Sequence, residues 1–244
     1  MKTVLIVGSS PDAARIQTID CSTISYKVAI NNAWRLRKDW NYVIYPEDFP
    51  KEKQPTSFDK DKLISAKQYV PEQNSFGGFI YAGGTMSFTA GYWALGALKP
   101  DVIAYIGCDM IYPKNSQSHF YGTGQADPLR DDITLQSLEA KSARLLAFAK
   151  SHGCTMINLT EQDQSRLLFP KIKMSDFLDP SQLSKKLKDK EPQLNFKVMD
   201  QALEKEKALS YMAPCGRYWK IEKELDPYQL RSLDSLWLQT LSHA

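Results

Sequence analysis

The chain has 244 residues, which fits one α/β domain carrying a helical appendage. Hydrophobic residues make up 43% of it, enough for a large core, and the net charge of +3 lacks the basic excess typical of nucleic-acid-binding proteins. No apolar run approaches the roughly 20 residues that span a bilayer, and the sequence starts directly with a predicted strand, so we expect no signal peptide.

The N-terminal part of the chain alternates apolar runs with polar turns. Apolar runs rich in β-branched residues predict three strands, over 2–7, 26–30 and 41–45. Ser10 suits the N-cap and Pro11 the first position of a helix, so we expect a helix after the first strand. Residues 50–62 are polar and carry prolines, which predicts a surface loop, and residues 63–70 are expected to hold another short strand.

The middle of the chain continues this alternation. Apolar runs predict strands over 101–106 and 155–159. The segment "AGGTMSFTAGYWALGAL", residues 82–98, predicts a helix that follows a Gly-Gly turn. Leucine and alanine recur at helical spacing over 132–152, and Gly153 is expected to end that helix.

The order of the elements indicates the fold class. Strands that alternate with helices predict an α/β fold, a Rossmann-like, mainly parallel sheet with helices on both faces. We place this nucleotide-binding domain at residues 1–165 and a helical C-terminal region at residues 166–244. The segment between Lys171 and Lys190 is basic, which predicts either a solvated helix face or weak contact with an anionic membrane surface or an acidic glycan.

Cysteine usage bears on the cellular compartment. The four cysteines are scattered, with no spacing typical of a metal site: Cys21, Cys108, Cys154 and Cys215. Cys108 and Cys154 lie in or beside apolar strands, where cysteine usually acts as a small hydrophobic residue. We therefore expect a soluble protein of the reducing cytoplasm.

Small and polar residues follow several predicted strands. In an open α/β sheet, ligands bind beyond the carboxyl ends of the strands. Gly8, Ser9 and Ser10 follow the first strand, where Gly8 allows a sharp turn and the serines offer hydroxyl and N–H groups at the start of a helix. This pattern predicts a site for a phosphate or a sugar hydroxyl, with a simple capped turn as the alternative. Asn31 ends the second strand in a similar position.

Three further positions are candidates for the same site. Gly84 and its glycine neighbour let a ligand approach the backbone, and Thr85 can cap the next helix; close packing of that helix is the alternative. Asp109 follows a strongly apolar strand, where an unpaired carboxylate is costly, so it contacts a ligand or fixes a loop. His119 lies in a polar loop and is the candidate general base, with a surface role as the alternative.

Five motifs occur in one order along residues 1–165. They are "MKTVLIVGSSPD", Asn31 at the end of the second strand, "GGTMSFTAGYWALG", "GCDMIY" and "SHFYGT". This series resembles the bacterial sialyltransferases of glycosyltransferase family 42, which use CMP-sialic acid. In that family the first strand leads into Gly-Asn-Gly-Pro-Ser, and the last motif is a Ser-His-Tyr-Ile-Gly-His loop.

The resemblance implies transfer of a sialic-acid-like or related ulosonic acid from a CMP-activated donor to a glycan or glycolipid acceptor, with no cofactor required. The nucleotide would be held by residues at strand and turn ends: Gly8, Ser9, Ser10, Asn31, Gly84 and Thr85. Tyr112 would donate a hydrogen bond to the departing phosphate, Asp109 would orient the loop beyond its strand, and His119 would take the acceptor's proton. The C-terminal helices would cover the acceptor side, and self-association into a homo-oligomer is left open.

The chain departs from the family's pattern at three positions. One of the family's phosphate-contacting tyrosines is matched by Tyr112 only after a shift of one residue. The family's catalytic base aligns with Thr123, whereas His119 matches only the first histidine of the loop, and Ser9 replaces an asparagine that contacts the donor. Two alternatives therefore stay open. One is a phosphotransferase like the archaeal-type 6-hydroxymethylpterin diphosphokinases, in which Asp109 would help to bind Mg²⁺ and ATP. The other is a non-catalytic nucleotide-sugar-binding protein.

Overall fold

The computed structural model, which describes residues 1–112, 117–122 and 131–241, contains one parallel sheet. Its strands are β1 (Thr3–Val7), β2 (Tyr26–Ile30), β3 (Tyr42–Ile44), β4 (Leu63–Ile64), β5 (Val102–Ile106) and β6 (Thr155–Asn158). They lie in the order β4-β3-β2-β1-β5-β6, and every neighbouring pair is parallel. The predicted α/β class and Rossmann-like sheet are confirmed.

Helices flank this sheet and also form the C-terminal region. They are α1 (Ala66–Ser75), α2 (Phe79–Ala82), α3 (Met86–Trp93), α4 (Leu138–Ser151), α5 (Met174–Leu178), α6 (Pro180–Asp189), α7 (Phe196–Leu209) and α8 (Pro227–Gln239). The helix expected after β1 is a 3₁₀ helix, Pro11–Gln17, and α3 continues as a π-helical turn over Ala94–Leu98. Across the described part of the chain, none of the helices has the length and apolar character needed to cross a membrane.

The short strand expected within residues 63–70 is β4, and it is only two residues long. Helix α1, which was not expected, begins two residues after it. Gln68 caps the helix start, because its side-chain oxygen accepts a hydrogen bond from the Ser65 N–H at 3.0 Å. The Ser-x-x-Gln spacing of such a capping box was the local signal for this helix.

The hydrophobic core has two halves, one on each face of the sheet. Successive side chains of a strand point to opposite faces, so Val4 and Ile6 belong to one cluster and Leu5 and Val7 to the other. The C-terminal region contributes to both halves. Trp237 of α8 is fully buried in the first cluster, and α5 and α6 add apolar side chains to the second. The C-terminal helices therefore share their core with the sheet.

A buried polar network joins α4 to the two last helices. Arg144 of α4 is fully buried and pairs with Glu206 of α7, with Nε–Oε1 and Nη2–Oε2 distances of 2.7 and 2.8 Å. The indole N–H of Trp237 donates to the same carboxylate at 2.8 Å. Beside it, the Lys141 ammonium lies 2.6 Å from Asp234 of α8. This network fixes α7 and α8 against the sheet layer.

Candidate functional site

A cavity of about 420 Å³ lies beyond the carboxyl ends of the central strands. Strand β1 pairs with β2 on one side and with β5 on the other, so the chain changes direction across the sheet at this point. Ligands of open α/β sheets bind in the crevice formed at such a switch point. The cavity is therefore where the fold favours a ligand.

Most of the predicted site residues line this cavity. Seven of them do so: Gly8, Ser9, Ser10, Asn31, Thr85, Tyr112 and His119. Asp109 and Gly84 do not line it. Residues that lie far apart in sequence therefore meet at one place, because the ends of parallel strands share one edge of the sheet.

The turn after β1 is held against the end of β5. The Gly8 N–H donates to Ile106 O at 2.9 Å, and the Ser10 N–H donates to Gly107 O at 3.0 Å. A Cβ atom at Gly8 would overlap Gly107 O. Glycine is thus needed for this close approach of two strand ends, and not for the turn conformation that the sequence suggested. Because its N–H is engaged, Ser10 offers the cavity only its hydroxyl.

Three buried side-chain oxygens around the cavity have no hydrogen-bond partner within the described chain: Ser10 Oγ, Asn31 Oδ1 and Asn32 Oδ1. Leaving such a group unpaired costs about 1–3 kcal/mol, so folded proteins rarely tolerate it without a function. Asn31 also has a φ of +50°, in the left-handed region, which asparagine adopts more readily than other residues with a side chain. The three unpaired oxygens favour a polar ligand.

Charged side chains complete the cavity wall. Arg35 and Lys53 line it, and Asp48 is the one carboxylate among its described lining residues. Arg35 lies four residues after Asn31 in the same 3₁₀ helix, Asn31–Leu36. The two cations suit a phosphate-bearing ligand. Neither cation could be recognised from the sequence, because Lys53 lies in a stretch that predicts a surface loop and Arg35 belongs to no motif.

His119 is held at the cavity by a short closed turn. Its N–H and C=O each pair with Gly122 at 3.1 Å, and the Phe120 N–H donates to Ser9 O at 3.0 Å, which joins the turn to the end of β1. The imidazole is only 6% exposed, and its Nδ1 lies 2.9 Å from Ser118 Oγ. Burial lowers the pKa of His119. The ring is therefore neutral near pH 7, the form that accepts a proton.

Aromatic rings surround this imidazole. The Tyr121 ring stacks on it with a centroid distance of 4.9 Å, and the Tyr112 ring lies 6.1 Å away. Both tyrosines line the cavity. Thr123, which aligns with the base of the resembled family, lies outside the described residues.

Asp109 faces a different part of the molecule. Its Oδ2 accepts a hydrogen bond from Thr160 Oγ1 at 2.9 Å, and its backbone oxygen accepts one from the Arg166 N–H at 3.0 Å. Burial raises the pKa of this carboxyl group. Asp109 therefore ties the end of β5 to the segment after β6, and it does not face the cavity. Within the described ranges, no three histidine, cysteine or carboxylate side chains lie close enough to hold a metal ion together.

Gly84 and Thr85 precede the first residue of α3. The Gly84 N–H donates to Thr134 Oγ1 at 3.0 Å, and a Cβ atom at Gly84 would overlap the Tyr218 hydroxyl. Gly84 therefore allows close packing against the C-terminal region. Thr85 is the N-cap of α3, and its hydroxyl accepts a hydrogen bond from the Phe88 N–H at 3.5 Å. Thr85 is buried and also lines the cavity.

No protein-family model, characterised protein or solved structure matches this chain.

Proposed function

We propose that this chain is a glycosyltransferase that moves a sialic-acid-like or related ulosonic acid from a CMP-activated donor to a glycan or glycolipid acceptor. One observation carries the proposal: three unpartnered buried oxygens and the imidazole of His119 line a single cavity at the switch point of the sheet. The oxygens supply polar contacts for a nucleotide, and the imidazole supplies a base for a transfer reaction.

The nucleotide side of the cavity combines polar and cationic groups. The Ser10 hydroxyl and the amides of Asn31 and Asn32 can hydrogen-bond to the ribose, the base or the phosphate of CMP. Arg35 and Lys53 bring positive charge to the same wall, as an anionic donor requires. These groups favour a nucleotide-bearing substrate over an apolar one.

The proposed reaction is a direct displacement at the anomeric carbon of the donor sugar. The acceptor oxygen bonds to that carbon while the bond to the CMP phosphate oxygen breaks, and CMP departs with the electron pair. His119 takes the proton of the acceptor hydroxyl, since its lowered pKa keeps it neutral. The Tyr112 hydroxyl, at the same cavity, donates to the departing phosphate, where negative charge develops.

The two alternatives make different demands on the site. A phosphotransferase of the pterin diphosphokinase type would use Asp109 for Mg²⁺ and ATP, but this carboxylate is directed at Thr160. A non-catalytic nucleotide-sugar-binding protein would hold the donor without consuming it. Slow hydrolysis of a CMP-activated sugar in the absence of an acceptor separates catalysis from binding.

Cytoplasmic location, weak membrane contact through residues 171–190 and homo-oligomer formation stay predictions.

Removing the Asn31 side chain should weaken CMP binding by about 1–3 kcal/mol, because its partner on the ligand would be left unpaired. Titration calorimetry of Asn31→Ala measures this loss. Asn31→Gly is the better variant, since glycine readily adopts the positive φ of 50°. Any loss of affinity then comes from the missing side chain and not from a changed backbone. Gln17→Ala, at an exposed position outside the cavity wall, is the control. Equal CMP affinity in all four proteins would remove Asn31 from the site.

The activity should persist below pH 6.5, the usual pKa of histidine, because burial lowers the pKa of His119. The acid limb of the kcat/KM profile reports the free enzyme's base and should therefore lie below that value. In the unfolded chain His119 has the higher pKa and binds a proton more readily than in the folded state. The free energy of unfolding therefore falls as the pH drops from 6.5 toward the folded-state pKa. An acid limb clearly above pH 6.5 would exclude His119 as the base.

A further inference from the structure

A second cavity, of about 500 Å³, adjoins the proposed nucleotide cavity. The two share three lining residues, Pro46, Asp48 and Met86. The far wall of the second cavity comes from the C-terminal region, through residues 215–219. Molecules bound in the two cavities would therefore be neighbours, as the two substrates of a transfer reaction must be.

Aromatic rings form much of this second cavity. Phe79 and Tyr218 stack with a centroid distance of 6.3 Å, and the ring of Trp219 meets Tyr218 edge-on at 5.5 Å. Trp219 is 57% exposed although tryptophan is a large apolar residue. An exposed indole at the wall of a cavity offers a flat face to a sugar ring or to a cation.

The charge of the second cavity is opposite to that of the first. Five carboxylates line it: Glu47, Asp48, Asp131, Asp132 and Glu222. Among its described lining residues the one cation is Arg217, which pairs with Glu47 at 3.2 Å. Asp132 accepts a hydrogen bond from the Tyr218 hydroxyl at 2.6 Å, so it also fixes an aromatic ring. Leaving aside Asp132 and the paired Glu47, three carboxylates still make this cavity negative: Asp48, Asp131 and Glu222. Arg35 and Lys53 make the nucleotide cavity positive.

We propose that the second cavity binds the acceptor and that this acceptor carries a positively charged amine. The inference rests on the proposed function, which supplies the need for an acceptor beside the donor. Carboxylates attract an ammonium group, and the faces of Trp219 and Tyr218 add cation–π attraction. An anionic acceptor would be repelled here, and the anionic donor is attracted to Arg35 and Lys53. The opposite charges of the two cavities thus direct the donor to the first cavity and the acceptor to the second.

Cys215 provides a direct probe of this cavity. It lines the second cavity, and it is exposed while Cys21, Cys108 and Cys154 are buried. The rate at which a neutral maleimide labels Cys215 therefore reports whether the cavity is occupied, without any need for catalysis. The probe ligands are glucosamine and glucose, compared at a pH where the amine is protonated. We expect glucosamine to slow labelling at a concentration at which glucose does not.

Neutral variants test the role of charge. Glu222→Gln should raise the glucosamine concentration needed for half-protection by about twofold to fivefold, the size expected for one exposed ion pair. Glu224→Gln is the matched control, because Glu224 lies in the same 3₁₀ helix, Glu222–Glu224, but does not line the cavity. Trp219→Ala should weaken protection to a similar degree through loss of the cation–π face, again by about twofold to fivefold. Added salt should also weaken protection by glucosamine, because it screens the attraction between the ammonium group and the carboxylates.

Three results would overturn the inference. Equal protection by glucose and glucosamine would show a neutral sugar site. No protection by glucosamine, in a protein that binds CMP by calorimetry, would reject the amine site while the proposed function stands. Protection by glucosamine in a protein that binds no CMP would reject the acceptor role together with the proposed function.

Discussion

We expect His119→Ala to lower the turnover number by about 10²- to 10⁴-fold, the usual contribution of a general base. CMP affinity should stay unchanged, because the role proposed for His119 is to act on the acceptor and not on the nucleotide. The imidazole is positioned for this role by the paired backbone of His119 and Gly122 and by the bond from Phe120 to Ser9. Its low pKa leaves it ready to accept a proton at neutral pH.

Two further variants make this experiment decisive. His119→Gln keeps a polar side chain of similar size but cannot act as a base, so it should lose as much turnover as the alanine variant. His152→Ala removes a histidine at the end of α4, where the ring contacts Phe148 O at 2.8 Å, and should leave turnover unchanged. Full activity of His119→Gln in a folded protein would show that another group takes the proton.

Replacing Glu206 by glutamine should lower the free energy of unfolding by about 3–5 kcal/mol, the cost of leaving a buried charge without its partner. Burial alone would lower the pKa of Arg144, yet its pairing with Glu206 raises that pKa overall, so the guanidinium stays charged. The Trp237 N–H would also donate to a neutral amide oxygen in place of a carboxylate, which makes a weaker hydrogen bond. Urea unfolding of the variant measures the loss.

Glu204→Gln is the matched control for this measurement. Glu204 lies on the same helix, α7, but is exposed, so its neutralisation should change stability by less than about 0.5 kcal/mol. A similar small change for Glu206→Gln would show that Arg144 finds another partner or water. The expected loss would instead confirm that this network holds the C-terminal helices to α4, and with them the chain segment that forms the second cavity.

Local patterns were sufficient for the strands and for much of the site. The apolar runs identified the six strands because buried parallel strands are continuously hydrophobic. Residues after those runs had to converge, since parallel strands end at a common edge of the sheet. The sequence alone therefore predicts that Ser10 and Asn31 are neighbours, and both line the first cavity.

Features that depend on long-range packing could not be predicted. Asp109 follows a strand like the other site residues, but its side chain is directed at Thr160, and nothing local to Asp109 encodes that direction. Gly84 lines the second cavity and not the nucleotide cavity, and the neighbour that requires glycine there is Tyr218, far along the chain. The second cavity was missed for the same reason, because its walls come from segments far apart in sequence.

The most direct test of the proposed function is a thermal-shift panel of CMP, CDP, UDP, ADP and ATP, with EDTA and with Mg²⁺. A ligand at 100 times its Kd stabilises the folded state by about 2.7 kcal/mol, which for a chain of this size raises Tm by about 5–10 °C. We predict that CMP produces this rise in EDTA and that the Asn31→Gly variant reduces it. A rise in Tm with ATP and Mg²⁺ but none with CMP would contradict the proposed glycosyltransferase function and favour the phosphotransferase alternative.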